Sequence, residues 1–386
     1  MRILLLARLD QAKSYFRGDE GTADVPELPP QQGHHFWVKA LRDQGHDVEV
    51  FRYTDSASLP PAWAFRIAEG IKGITELGYK AIREVRQLIP PSLDPDYRRR
   101  NDRIVDRALE FEPELVLVIG GYHQLSPETF ETIRRRCDPI IVGASGTGPH
   151  DYGTKEERYI APRFYDVMFV NDEHRMHAWR SIGVNAEVLP VSSSPVEFAS
   201  QYLKDDSEYD AEISFIGQPY PRRVQYLEAL TDFDLALYGP GWSDTELAEY
   251  HRGEAWGGNM FKAIYNSDIS INIHHRTMLT GGNMKQFEIP AAQTLQIADV
   301  CPNEWFTDGE EIVLVDTPED LREAVAHYLD TPEERERIAR AGHERAAAEH
   351  TYSHRMARLV ELAKSGAGRA DGVVDRKYLD DGGRLV

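Results

Sequence analysis

The chain has 386 residues, 41% hydrophobic and 28% charged, enough apolar matter to give two domains their own cores and too much for a disordered chain. A formal net charge of −20 argues against sequence-independent binding to nucleic acid or anionic lipid, while leaving room for a local basic pocket that takes phosphates. Cys137 and Cys301 form no CxxC and no zinc spacing. No apolar run approaches a membrane span, and the apolar start runs into Arg8 and Asp10 too soon for a signal peptide. A cytoplasmic protein without a membrane span is expected.

Residues 2–7 are a short, continuous apolar run, as in a fully buried strand of a parallel sheet. A long polar loop follows, through Pro26 and Pro29-Pro30. Residues 34–46 read as a helix with Phe36, Ala40 and Leu41 on one face and Gly45 as C-cap. Residues 47–53 alternate as a second strand, giving the β-loop-α-β opening of a doubly wound domain. Helical periodicity marks residues 63–88 and 97–111, and residues 113–121 are the clearest buried strand. In open α/β sheets ligands sit beyond the carboxyl ends of strands, which makes His123 a candidate contact for acceptor or sugar; a hydrogen-bonded loop histidine would fit as well. Strands at 139–143, 165–170 and 187–190 and a helix at 174–182 follow. The loop at 144–148 is Gly-rich but lacks the signature of a P-loop or a dinucleotide site. Residues 191–195 read as a linker, where the chain is expected to cross between domains.

The same grammar restarts at 209–217, a strand ending in Gly217. Arg222 and Arg223 then open a helix. Arginine there opposes the helix dipole, and a bound diphosphate would offset that because guanidinium pairs bidentately with phosphate oxygens; a solvent-facing pair is the plainer alternative. Residues 234–238 form a strand before a tight turn at Gly239, and residues 268–273 a strand running into His274-His275, which face opposite ways and cannot easily share a metal. A last strand at 311–315 and helices at 318–329 and 332–349 follow, with a polar, Gly-rich tail from Gly366.

Between them lies the most informative stretch, residues 280–299. Gly281 and Gly282 would let the backbone approach a ligand with positive φ. Pro290 suits the first turn of a short helix, which places Lys285 and Glu288 just ahead of it. A helix start preceded by glycines and a lysine can seat a phosphate, and a carboxylate at the same rim can accept both hydroxyls of a ribose. A glutamate near a helix start is also stabilised by the dipole alone. Residues 295–299 read as a strand.

The second half resembles the glycosyltransferase-like domain of the CgeB family of spore-maturation proteins, relatives of the group-1 glycosyltransferases with the GT-B fold. The likeness is carried in order by Ile213-Ser-Phe-Ile-Gly217 with Arg222-Arg223, Leu237-Tyr-Gly-Pro-Gly-Trp242, Ser270-Ile-Asn-Ile-His274, Asn283-Met-Lys-Gln-Phe-Glu-Ile-Pro-Ala291, Phe306-Thr-Asp-Gly-Glu-Glu-Ile-Val313 and His350-Thr-Tyr-Ser-His-Arg355. It covers roughly residues 210–360. Thr280 stands where group-1 enzymes often carry a second glutamate, and Lys285 where CgeB-like chains often have arginine.

The resemblance implies an α/β chain of two Rossmann-like domains facing across a cleft: 1–192 for the acceptor, 193–365 for the nucleotide sugar, and 366–386 as a mobile tail. It implies a glycosyltransferase moving a sugar from a nucleotide-diphosphate sugar to an unknown acceptor, with retention of anomeric configuration by analogy with the group-1 relatives, and without a cofactor. Glu288 would bind the ribose; Arg222 or Arg223, with Lys285, the diphosphate. Gly217, Gly239, Gly281, Gly282 and Asn283 would line the donor site, and His34, His35 and His123 the acceptor side. No DxD pair stands at a suitable strand end, so metal-free transfer is expected. A non-catalytic relative that only binds nucleotide sugar is the alternative.

Overall fold

The computed structural model describes residues 1–7, 23–28, 33–53, 95–120, 125–149, 161–190, 192–276 and 278–365. His123, the helix expected over 63–88 and the tail from 366 lie outside the described residues. The described chain divides into two compact units. The first draws on Met1–Val170, Arg175–Glu187 and the part from Ala357 onward; the second on Asn171–His174 and Val188–Met356.

In the first unit the apolar runs become strands. β1 (Arg2–Ala7), β2 (Asp47–Arg52), β3 (Leu115–Ile119), β4 (Ile140–Ser145), β5 (Val167–Val170) and β6 (Ala186–Val188) form one sheet in the order β2-β1-β3-β4-β5-β6. β1 pairs in parallel with β2 and β3, β3 with β4, and β4 with β5. Every residue of β3 is buried, as expected of a central parallel strand covered on both faces. The helices are α1 (Gly33–Asp43), α2 (Pro95–Phe111), α3 (Pro127–Cys137) and α4 (Glu173–Ser181).

α1 ends in a Schellman turn. Gly45 takes φ +79°, its N–H donates to Arg42 O at 2.9 Å and the His46 N–H to Leu41 O at 3.1 Å. Its buried face is Trp37, Val38, Ala40 and Leu41, while Phe36 is only half-buried. Ala40 and Leu41 thus lie on the buried face as expected, while Trp37 and Val38 rather than Phe36 complete it.

The second unit holds β7 (Ala211–Ile216), β8 (Leu235–Tyr238), β9 (Ser267–Asn272), β10 (Leu295–Ala298) and β11 (Val313–Leu314), in the order β11-β10-β9-β7-β8 with parallel pairing throughout. Its helices are α5 (Val196–Ala199), α6 (Pro221–Glu228), α7 (Gly258–Tyr265), α8 (Lys285–Ala291), α9 (Pro318–Asp330), α10 (Pro332–Glu349) and α11 (Tyr352–Lys364), the last running on into the first unit. α9 opens with a full capping box between Thr317 and Asp320. Residues 192–194 are not a solvated linker: all three serines are buried, and Ser194 bridges to Thr351.

Counted within its own unit, each sheet has the doubly wound order 2-1-3-4-5, extended by one strand in the first. The two-Rossmann α/β architecture read from the sequence is thus what the chain adopts. In the second unit the strand order reverses between β7 and β9, and the carboxyl ends of these strands mark the expected ligand crevice.

Candidate functional site

β9 decides what reaches that crevice. Its alternation sends Ile269, Ile271 and Ile273 into the core shared with Leu295, Leu321 and Ile338. Ser270, Asn272 and His274 go to the other face, and all three are buried. The end of the strand is a hub of polar contacts: the residue at 272 is held from α8, 273 from α6, and 274 from the end of β10.

Asn283 Nδ2 donates to Asn272 Oδ1 at 2.8 Å, and Asn283 Oδ1 accepts the Gln286 N–H at 3.3 Å. This one side chain ties the start of α8 to the tip of β9. α8 accordingly begins at Lys285, ahead of the expected start, and Pro290 sits inside the helix near its end. Lys285 and Glu288 therefore share the first turn. Lys285 Nζ lies 2.5 Å from Glu288 Oε2 and 3.1 Å from Met260 Sδ. The lysine side chain is 21% exposed and the glutamate 8%. Burial, with the Glu288 charge beside it, pushes the Tyr352 hydroxyl well above the ordinary tyrosine range.

Arg223 lies across the end of β7. Its Nε donates to Ile273 O at 2.8 Å and its Nη1 to Gln218 O at 3.1 Å, and its guanidinium stacks on Phe215 and Tyr220. Burial lowers its pKa. Gly217 is the floor beneath it, since a Cβ there would meet Arg223 Nη1 at 3.0 Å. Gly217 O accepts the Trp242 indole N–H at 2.7 Å. Gly239, at φ +126°, packs so tightly that a Cβ would stand 2.5 Å from Gly217 O.

Arg222 faces Asp299. Its Nη2 is 3.1 Å from Asp299 Oδ2, with side-chain exposures of 37% and 0%, and its guanidinium covers the Tyr226 ring at 5.3 Å. Asp299 Oδ1 accepts both the His274 backbone N–H at 3.0 Å and the Nδ1–H at 2.7 Å. Burial works to raise the Asp299 pKa, but the His274 bonds and the Arg222 charge outweigh it and hold the carboxyl below its usual range.

Two glycines carry a different meaning from the one expected. Neither Gly281 nor Gly282 has positive φ. A Cβ on Gly281 would collide with the Asn171 carbonyl, and one on Gly282 would stand 2.6 Å from the Trp305 ring. Both are required by close packing within the protein. His34, in α1, is half-buried with an unpartnered Nδ1, and burial lowers its pKa to about 4. His35 Nδ1–H donates to Leu28 O at 2.8 Å.

The structure thus gathers Arg222, Arg223, Gly217, Gly239 and Asn283 around residues 272–274, with Lys285 and Glu288 on the helix that Asn283 anchors. Asp299 and His274 were missed as site residues. The signal was the register: Ala298 pairs with Asn272, so the acid after β10 falls beside the histidine after β9. Among the described residues no group of three or more His, Cys, Asp or Glu comes together to hold a metal, and no helix is long and apolar enough to cross a membrane.

Residues 222–361 match the family model described as glycosyl transferase-like. The matched stretch lies almost wholly within the second unit and includes Arg222, Arg223, residues 272–274, Asn283, Lys285, Glu288 and Asp299. Solved structures similar to the chain extend the likeness to both units. Sucrose-phosphate synthase from Thermosynechococcus elongatus is 13% identical, with a TM-score of 0.60 over 95% of this chain and 98% of that one. The Anabaena protein HepE, solved in complex with UDP and glucose, is 13% identical, with a TM-score of 0.56 over 95% of this chain and 100% of its own. A glycosyltransferase from Rickettsia africae is 10% identical, with a TM-score of 0.61 over 95% of this chain and 98% of that one. At these identities the likeness is one of fold, the GT-B arrangement of two Rossmann-like domains. No curated protein matches the chain.

Proposed function

We propose that the chain is a glycosyltransferase that takes a nucleotide-diphosphate sugar on its second unit and transfers the sugar to an acceptor held by the first. The observation that carries this reading is that Arg223 and, through Asp299, Arg222 reach the end of β9, the strand end to which Asn283 ties the start of the helix bearing Lys285 and Glu288, at the strand-order reversal where doubly wound sheets bind ligands. The family match over the same residues supports it.

In this reading Glu288 accepts the two ribose hydroxyls, and Arg222 and Lys285 face the diphosphate. Charge grows on the leaving diphosphate as the glycosidic bond breaks, and fixed cations stabilise it without reorganising. Arg223 is held by two backbone carbonyls, so its role is to shape the floor while Arg222 and Lys285 supply mobile charge. His34 and His123 are the acceptor-side candidates. Transfer is metal-independent, retaining and hexosyl, the enzyme works in the cytoplasm, and it is a CgeB-like glycosyltransferase. Residues 1–192 and 193–365 serve as acceptor and donor domains.

The deciding experiment is a thermal-shift screen of the purified protein against UDP, GDP, ADP and TDP and their sugars, UDP first because of the HepE complex. A rise in Tm with one nucleotide family, followed by transfer or slow hydrolysis of its sugar, supports the reading. A flat response to all of them refutes it. Binding without turnover would favour a non-catalytic nucleotide-sugar binder.

A further inference from the structure

Arg222 stands on the first turn of α6, at the positive end of the helix dipole. Its side chain is engaged on two sides: Nη2 donates to the Tyr226 hydroxyl oxygen at 3.4 Å and lies 3.1 Å from Asp299 Oδ2. Asp299 holds it from a position with no solvent exposure, and Asp299 is itself fixed by two bonds from His274, one from the backbone and one from the ring. A buried carboxylate survives only with such partners. An ionised Asp299 can only accept, so the proton of the pair sits on His274 Nδ1. His274 is fully buried, and its Nε2 has no partner among the described residues. Leaving a ring nitrogen unpaired in the interior is costly. The arrangement therefore spends one imidazole on orienting one carboxylate.

We infer that Asp299, anchored by His274, is a positioning residue that sets Arg222 for the terminal phosphate of a nucleoside diphosphate. This rests on the donor-site reading above and deepens it by assigning the diphosphate subsite to α6 and the end of β10. Asp299 acts through Arg222 and need not touch the ligand. Its loss would leave the guanidinium held by Tyr226 alone, and would weaken recognition of the diphosphate while sparing the nucleoside.

Two measurements on the full chain test this. The first needs no ligand. Nitrogen-15 spectra of the histidine rings should show His274 protonated at Nδ1, and the Arg222 guanidinium protons should exchange slowly in the native protein and fast in Asp299→Asn. A His274 ring protonated at Nε2 alone, or an Arg222 signal unchanged in the variant, would overturn the proposal. The second is calorimetric titration with UDP and with uridine. Asp299→Asn should weaken UDP by roughly three- to tenfold and leave uridine unchanged. It should add nothing further in an Arg222→Gln background. Equal losses for UDP and uridine, or additive losses in the double variant, would mean that Asp299 only supports the fold. Should Asp299→Asn fold poorly, His274→Asn and His274→Leu serve instead, with Asn, which can still donate to Asp299, expected to retain UDP affinity and Leu to lose it. A native protein that takes up no nucleoside diphosphate would sink the function reading, and the ligand-free spectra would still decide whether His274 and Asp299 hold Arg222.

Discussion

Lys285 and Glu288 bind each other, Nζ to Oε2 at 2.5 Å, across one turn of α8. The two side chains that the proposed function assigns to opposite ends of a donor thus neutralise each other. On the proposed function, a nucleotide sugar would exchange this pair for a lysine–phosphate contact and a carboxylate–diol contact. Glu288→Ala should then weaken UDP and uridine alike, by about tenfold or more, because charged hydrogen bonds to the ribose are lost. Titration calorimetry measures it, and unchanged affinity for every nucleotide removes Glu288 from the ribose role.

Lys285→Ala removes the other half of the pair and leaves Glu288 unneutralised at low exposure. Because its proposed work is on charge that appears in the transition state, the turnover rate should fall by roughly a hundredfold or more with a smaller change in KM. A rate equal to the native enzyme takes Lys285 out of the chemistry.

With cationic side chains doing this work, activity should survive EDTA. An assay of sugar transfer before and after chelation checks it. Full loss that Mn²⁺ restores would show that a metal carries the leaving-group charge.

The strands were legible because their cause is local. Residues 2–7 and 115–119 are apolar without interruption, which suits only a strand covered on both faces. α8 was misread because Pro290 looked like a helix start, when the true start is fixed by Asn283 reaching from the loop to Asn272 on another strand. Gly281 and Gly282 signalled freedom of backbone, whereas their neighbours Asn171 and Trp305, far away in sequence, demand absence of a side chain. The Asp299–His274 contact needs the β9–β10 register before it exists at all. What depends on one strand or one helix could be read; what depends on two elements meeting could not.

The glycines offer a stability test of that distinction. Gly239→Ala meets both a positive φ and the Gly217 carbonyl, while Gly253→Ala, at φ +103°, meets nothing within 4 Å. The first should cost about 2–4 kcal/mol and the second about 1 kcal/mol. Gly281→Ala should also lower Tm in the absence of any nucleotide, because the collision is with the Asn171 backbone. A Tm equal to the native protein would return Gly281 to a ligand-facing role.

Stability should fall on mild acidification, and His34 supplies a named share. Its folded pKa, about 4, lies below the ordinary histidine value of 6.5 because burial disfavours the charged ring. Between those values the unfolded chain binds a proton that the folded chain does not, so unfolding free energy rises with pH across the window and falls as pH drops through it. The loss is complete near pH 4. Allowing for the half-exposed ring, it amounts to roughly 1–3 kcal/mol. Asp299 acts in the same direction lower down: its depressed pKa gives stability that is present above the ordinary aspartate range and is lost as pH falls through the folded value. Urea denaturation at pH 7 and pH 5 separates the two. His34→Leu should flatten the slope between those pH values, and Asp299→Asn should leave it in place. An unchanged slope in His34→Leu would show that the ring is charged in the folded protein, and would leave it free to meet an acidic acceptor.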